Sequence, residues 1–444
     1  MRPTVEWYRA YLGRPPALMA TGPGTDMARR FLLVLVGIAA GALTLRLAYA
    51  LGVAPELVGI DDDRFYHQAA LELADGNGYV GTLDVFISGE KEPTADHPPL
   101  YPLLLSFLGR LGARSVDAQR MLGVCAGTLT VVTVGLIARH VAGNRAGVAA
   151  ATLCAMYPAF IAADGALMSE SLFGALVALS LLQALVLLRR PTLRGAAILG
   201  LLVGLAALTR SEGLLLVPLL AIPVVAAAPP RRLLLVATTT AVTALVITPW
   251  VIRNIEVFGE PVYSTNEGAT LAGANCDRTY YGDVIGGFVF QCLTAVPQPK
   301  TDNRAVRSDR LREAAVEYAS DHLGRAVVVA ALRLARLWGL YDPADQAHVT
   351  GRDVSVQRAG VAAYYAVLVA GLAGAVLLLR RGLRLAFAVL LVPVVLSSLT
   401  AVGTYGLIRL RHVAEVSLLV LAGVAVAYLT ARRTGSTPRR SAVA

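Results

Sequence analysis

Apolar runs of helical length follow one another along almost the whole chain, with short polar breaks between them. Ten are countable, at about residues 31–53, 117–138, 146–163, 170–188, 195–209, 213–228, 233–251, 356–379, 385–405 and 413–431. A helix needs about 20 apolar residues to cross a bilayer. The pattern therefore predicts an all-α, polytopic membrane protein of about ten transmembrane helices. Two stretches, 54–116 and 252–355, interrupt it and are expected as large loops. Each holds one shorter apolar run. Leu100–Leu111 follows Pro98-Pro99 and is too short to span. Ala326–Tyr341 carries Arg333 and Arg336 on one helical face. Both are expected to lie as amphipathic helices on one leaflet.

Charge then sets orientation. Arg29/Arg30, Arg139/Arg145, Arg189/Arg190/Arg194, Arg231/Arg232, Arg380/Arg381/Arg384 and Arg432/Arg433 fall at alternate ends of the spans, hence on one side. The positive-inside rule makes that side cytoplasmic. Both termini are expected inside a cell membrane, with loops 54–116 and 252–355 outside. Residues 1–26 are polar and lack an apolar face, so they read as a cytoplasmic tail, expected to be disordered for want of a core-forming pattern. Residues 27–432 read as one transmembrane domain and 433–444 as a second cytoplasmic tail. Composition agrees: 56% hydrophobic and 16% charged leaves too little charge to cover a soluble protein of this size. The net charge of +10 sits in clusters between spans, so it does not point to nucleic acid.

Of four cysteines, Cys125 and Cys154 lie in spans and read as small core residues. Cys276 and Cys292 share the second outer loop, where a disulfide is permitted. Two buried thiols are the alternative.

The candidate chemistry sits at the outer ends of the spans. Asp61-Asp62-Asp63 follows the first span almost at once. Three carboxylates at the mouth of a membrane protein are costly unless they face water or react. A helix cap is the plainer reading. Arg194 and Arg210 are separated by 15 uncharged residues, or about 22 Å of helix against ~30 Å of hydrocarbon. Arg210 and Glu212 are thus expected below the outer surface, in a water-filled pocket, with a snorkelling Arg210 paired to Glu212 as the alternative. Arg409 and Arg411 enter the last span and Glu415 lies within it, four residues from Arg411. Asp164, Glu170, Arg253 and Asn254 also fall at outer ends, while Arg46 lies inside the first span with no assigned role. Arginine binds phosphate through bidentate, charge-assisted hydrogen bonds. Nucleotide donors are cytoplasmic, so an outward-facing transferase needs a donor carried by lipid.

At these residues the chain resembles the GT-C membrane glycosyltransferases, especially the protein O-mannosyltransferases and lipid A aminoarabinose transferases. The resemblance covers nearly the whole chain. Asp62-Asp63-Arg64-Phe65-Tyr66 is similar to the family's Asp-acid-x-x-Tyr after the first span, which places the catalytic Asp at Asp62. His97-Pro98-Pro99 resembles its His-Pro-Pro segment, and Ser169-Glu170 the start of its fourth span. Thr209-Arg210-Ser211-Glu212-Gly213 is similar to Thr-Arg-Pro-Glu-Gly, with Ser211 replacing Pro. Pro249-Trp250-Val251-Ile252-Arg253-Asn254 matches Pro-Trp-x-x-Arg-Asn. The C-terminal Arg-Tyr-Arg and Leu-Pro-Leu-Glu-Pro survive as Arg409-Leu410-Arg411 and Glu415, without the Tyr and both prolines.

The resemblance implies a polyprenyl-phosphate sugar donor, mannose-like in its sugar. The acceptor would be a hydroxyl on a protein, glycan or glycolipid. The expected chemistry is one inverting displacement. Asp62 is expected as general base, with Asp61 and Asp63 as alternatives for that role and, beside it, expected to raise its carboxyl by repulsion. Arg210, Arg409, Arg411 and Arg253 are expected to hold the leaving phosphate. Tyr66, His97, Glu170, Glu212, Asn254 and Glu415 complete the candidate site. Three carboxylates could bind a divalent cation, but the similar enzymes do not generally need one, so no metal or other cofactor is expected. The rival readings are a transporter or flippase of an anionic lipid and a non-catalytic polyprenyl-lipid-binding factor. No inverted repeat is visible, and the charges cluster at outer ends instead of the midplane that transporters favour.

Overall fold

The computed structural model describes residues 23–57, 62–81, 91–227, 231–301, 303–348 and 352–433. Asp61 and the two expected tails, apart from residues 23–26 and Arg433, lie outside these. The helices are α1 (Pro23–Gly52), α2 (Asp62–Ala74), α3 (Leu100–Arg110), α4 (Val116–Ala142), α5 (Asn144–Ala155), α6 (Pro158–Gly165), α7 (Glu170–Arg189), α8 (Leu193–Ala207), α9 (Leu216–Ala227) and α10 (Arg232–Phe258). They continue with α11 (Glu267–Ala274), α12 (Arg304–Asp321), α13 (Leu323–Leu337), α14 (Val354–Arg380), α15 (Arg384–Gly403) and α16 (His412–Arg433). Among the described residues there is no strand, only one antiparallel bridge, Val80 to Pro93.

The protein is a multi-pass, all-α membrane protein. Among the described residues, seven helices are long and apolar enough to cross a bilayer, eight if the bent pair α5–α6 is one span. All ten expected runs are helical, but two fall short of a bilayer. These are α8, with 15 residues, and the segment Ser211–Ala227, which opens with a tight 3₁₀ turn. The first helix also begins earlier than expected, at Pro23 inside the anticipated tail. Proline suits a first helical turn, where its missing N–H costs nothing.

The last helix is the axis of the bundle. Every residue from Arg411 to Ala425 is buried, and α16 packs against α14, α5, α15, α4 and α7. Without a hydrophobic drive between helices in lipid, small residues let backbones approach. Gly374 of α14 meets the Leu421 carbonyl so closely that an added Cβ would lie 2.0 Å from its oxygen.

The bend between α5 and α6 is 56°. Pro158 opens α6 and has no N–H to give the Cys154 carbonyl. Arg46 fills that gap. Its Nη2 donates to the Cys154 oxygen at 3.3 Å, its Nη1 to Ala155 at 3.1 Å, and its Nε to Asp164 Oδ2 at 2.6 Å. The residue left without a role in the sequence thus pins the first span to the broken third one.

The two short amphipathic helices turn apolar side chains outward. Leu103 and Phe107 are exposed along α3 and Leu111 just after it, and Leu323, Val327 and Val328 along α13. Arg333 and Arg336 instead point inward. They donate to the carbonyls of Ala274, Val402 and Gly406, joining the second loop to the α15–α16 link. The loop is closed by the Cys276–Cys292 disulfide, as expected from the sequence. Within it Gly286 accepts a hydrogen bond from the Gly406 N–H at 2.8 Å. Cys154 is buried, but Cys125 faces outward. A thiol is apolar enough for a lipid-facing position.

Candidate active site

Five separate chain segments meet at one place. Asp62 opens α2, so its carboxylate sits at the helix N-terminus, where negative charge is favoured. The Leu100 N–H donates to the Leu208 carbonyl at 2.8 Å, which docks the His97-Pro98-Pro99 segment on the end of α8. There the chain turns through Thr209 and Arg210 into the 3₁₀ turn at Ser211. Glu170 opens α7, and Arg409 lies in the 3₁₀ turn Ile408–Arg411 ahead of α16.

Their side chains form a continuous chain of ion pairs. Asp62 Oδ2 accepts from Arg409 Nη2 at 2.7 Å, and its Oδ1 lies 3.5 Å from His97 Nε2. Arg409 Nε donates to Glu170 Oε1. The same oxygen accepts from Arg210 Nη1 at 3.3 Å, and Arg210 Nε reaches Glu212 at 2.6 Å. Ser169 ties the cluster to α2: its hydroxyl accepts from Tyr66 at 3.0 Å and from Arg210 at 3.4 Å. Tyr66 is one turn from Asp62 on the same face. Burial pushes the Tyr66 hydroxyl up, so it remains a donor.

Both readings of Arg210 are therefore partly met. It pairs with Glu212, and it also lines a small cavity with Glu170, Glu212, Ser397, Arg409 and His412. The expected effect on Asp62 is reversed. Burial would raise its carboxyl, but Arg409 and then His97 outweigh burial and hold it well below the usual carboxylate range. Its sequence neighbour Asp63 uses Oδ1 to accept from the Arg64 N–H at 2.7 Å. Arg409 and His97, distant in the chain, outweigh burial there, and Asp61 lies outside the described residues.

The remaining candidates lie apart from this chain of pairs. Arg411 binds Glu415 at 2.6 Å and the Leu337 carbonyl at 3.2 Å, with its guanidinium 3.3 Å over the Tyr364 ring. Arg253 donates to the Thr94 and Tyr79 carbonyls at 2.7 and 3.2 Å and stacks on Trp250 and Phe258. Asn254 donates to the Val262 carbonyl. These two residues fasten the first loop to α10 and form no hydrogen bond or ion pair with Asp62, Glu170, Arg210 or Arg409. Among the described residues no three His, Cys, Asp or Glu side chains are gathered as metal ligands would be. Two residues outside the expected set lie beside it: Ser169, bonded to Tyr66 and Arg210, and Arg352, which lines a small cavity with Arg409 and Arg411. Ser169 was visible only as part of the Ser-Glu motif. Arg352 lies at the end of the second loop, where no periodicity or motif singles it out.

The helix layout and the buried charge cluster are those of a polytopic, all-α membrane protein. Residues 96–253 match the family described as dolichyl-phosphate-mannose-protein mannosyltransferase. The fold is shared with the oligosaccharyltransferase of Archaeoglobus fulgidus, solved tethered to an acceptor peptide. That protein is 19% identical, with a TM-score of 0.58 over 93% of this chain and 52% of its own. The same enzyme, AglB, with an inhibitory peptide and a dolichol-phosphate gives 18% identity and a TM-score of 0.54 over 93% and 52%. ArnT from Cupriavidus metallidurans is 16% identical, with a TM-score of 0.41 over 90% of this chain and 78% of its own. No curated protein matches by sequence. The chain thus spans about half the length of the oligosaccharyltransferase it resembles. The resemblance to GT-C membrane glycosyltransferases holds in both the matched segment and the fold.

Proposed function

We propose that this chain moves a sugar from a polyprenyl-phosphate donor to an acceptor hydroxyl at the outer face of the membrane. The observation that carries this reading is the Asp62–Arg409–Glu170–Arg210 chain of ion pairs. It places a carboxylate able to take a proton beside guanidinium groups able to hold a phosphate. The matched family's dolichyl-phosphate-mannose donor, and the dolichol-phosphate and acceptor peptide bound by AglB, support a lipid-linked donor.

In the proposed step the acceptor oxygen forms a bond to the anomeric carbon as the bond to the phosphate oxygen breaks. The acceptor proton passes to Asp62, and polyprenyl phosphate leaves with the bonding electron pair. Attack opposite the phosphate inverts the anomeric centre. Arg409 is the pivot. It serves Asp62 and Glu170 together, and an entering phosphate competes for it. As Arg409 turns to phosphate, Asp62 loses its strongest stabilising partner and becomes a better base.

Purified protein in nanodiscs, given polyprenyl-phosphate mannose and envelope acceptors, should release polyprenyl phosphate only when sugar appears on the acceptor. Movement of the intact lipid between leaflets without sugar transfer would sink the enzyme reading in favour of a flippase. The outward orientation rests on the one-sided arginines. Reporter fusions after Arg145 and after Arg325 should therefore report opposite sides, and a shared side would refute it.

A further inference from the structure

Asp62 has a different neighbour on each carboxylate oxygen. Arg409 Nη2 donates to Oδ2 at 2.7 Å, and His97 Nε2 lies 3.5 Å from Oδ1. The imidazole is held there from several directions. Its ring centroid is 4.7 Å from that of Phe65 and 5.0 Å from that of Tyr66. Its backbone carbonyl accepts from the Tyr79 hydroxyl at 2.9 Å. Before it, Asp96 is bound by Thr265 at 2.6 Å and by Arg304 at 3.0 Å. After it, Pro98 and Pro99 restrict the backbone. Tyr66 and Tyr79 give their hydroxyl hydrogens to Ser169 and to the His97 carbonyl, so neither donates to the imidazole. Both partners still reach solvent, His97 with 18% and Asp62 with 36% of the side chain exposed.

That placement bears on where the acceptor's proton goes. A general base works best when it titrates near the operating pH. Arg409 and His97 hold Asp62 well below that range, so a proton placed on it has to move on. The acceptor must cover the open side of Asp62 to react, which shuts the direct path to water during transfer. Each carboxylate oxygen has about two lone-pair sites, so Oδ1 can meet the acceptor hydroxyl on one side and His97 on the other. Catalytic hydrogen bonds are often loose in free enzymes and tighten in the substrate complex. We propose that His97 is a further catalytic residue, which takes over through Nε2 the proton that Asp62 draws from the acceptor hydroxyl and releases it to water. The inference rests on the reading of Asp62 as base and adds the proton's exit to it. His97 starts as neutral imidazole with its hydrogen on Nδ1, becomes imidazolium, and returns to neutral before the next turnover. The ionisable groups around it are Asp62 and Tyr66 on α2, Tyr79 after α2, and Arg253 of α10, which reaches the Tyr79 carbonyl. Beyond these, Arg409 acts through Asp62, Asp96 is engaged by Arg304, and Arg210 pairs with Glu170 and Glu212. Burial keeps both tyrosines neutral.

The test measures kcat for the full-length protein in nanodiscs across about pH 5–8, where imidazoles change charge. Wild type, His97→Gln and His97→Ala are given polyprenyl-phosphate mannose and an envelope extract as acceptor. Wild-type kcat should fall as the pH drops, because a protonated imidazole cannot accept. His97→Gln should lose about 10²-fold in kcat, with KM for the donor little changed and the acid limb gone. Imidazole added to His97→Ala should restore turnover in proportion to its neutral form. A wild-type kcat independent of pH would overturn the relay without any variant. Near wild-type turnover in His97→Gln would also overturn it, as would an acid limb that survives there. A loss of kcat uniform in pH, with no rescue of His97→Ala by imidazole, would make His97 a packing residue. Normal turnover in Asp62→Asn would instead sink the base on which the relay rests, and no transfer by wild type at any pH would sink the donor reading.

Discussion

The protein buries arginine–carboxylate pairs in two places, and they are built differently. Arg46 and Asp164 are 0% and 1% exposed and touch only each other and nearby backbone carbonyls or hydroxyls. Around Arg409, Asp62 remains 36% exposed, carboxylates are shared between arginines, and the cluster lines two cavities. Both sets are arginine–carboxylate pairs within a membrane bundle, so an ion pair there does not by itself mark a reactive site. Sharing and access do. A closed pair has one arrangement, whereas a pair whose members already divide their bonds can exchange one of them for a ligand.

The comparison breaks first at Asp62. Asp62→Asn keeps the size of the side chain but cannot accept a proton, and base catalysis is worth about 10²–10⁴-fold. A loss of that order in kcat is expected, with donor affinity and thermal unfolding nearly unchanged. Because Arg409 and His97 hold the carboxyl low, free Asp62 stays ionised down through mildly acid pH. The pH profile of kcat/KM should show no Asp62 limb near neutrality. Normal turnover in Asp62→Asn would return this residue to a helix cap.

Arg46→Ala should do the opposite. It leaves Asp164 buried without its partner, at a cost of about 3–5 kcal/mol in stability. Thermal unfolding in detergent should come much earlier, while turnover per folded molecule stays as in wild type. A stable but inactive Arg46→Ala would erase the contrast between the two sites.

The smallest effect tests the packing of the closed pair. An added Cβ at Gly127 would lie 1.9 Å from Asp164 Oδ2. Gly127→Ala must displace the carboxylate or the helix, and overpacking of this kind costs about 1–3 kcal/mol. Unfolding should shift less than for Arg46→Ala, and polyprenyl-phosphate binding should not change. Unaltered stability would mean that α4 yields more readily than its packing suggests.

Much of this architecture was legible in the residues. Hydropathy marked every apolar helix, and short-range pairs such as Arg411–Glu415 follow from helical spacing. Partners far apart in the chain do not. Asp164 lies 118 residues from Arg46, and Asp62 lies 347 from Arg409. Sequence therefore showed Asp62 beside two aspartates, where folding sets it beside an arginine and a histidine. Arg253 read as a phosphate ligand because its position shows a cation at an outer helix end. The carbonyls it meets become visible only when the first loop closes on α10. Arg352 gave no signal, since a long loop without periodicity does not reveal which way one residue turns.

The Arg46–Asp164 pair also bears on how the chain is made. The first span enters the bilayer carrying an arginine whose carboxylate is 118 residues downstream. At about 5–20 residues per second, synthesis of that interval takes roughly 6–24 s. Until then a charge that costs about 2.5–3.5 kcal/mol at a helix centre has no fixed partner. The first helix must hold this charge near water or in the insertion machinery until the broken helix arrives. Membrane insertion and bundle assembly are therefore coupled steps in this protein, joined by one side chain.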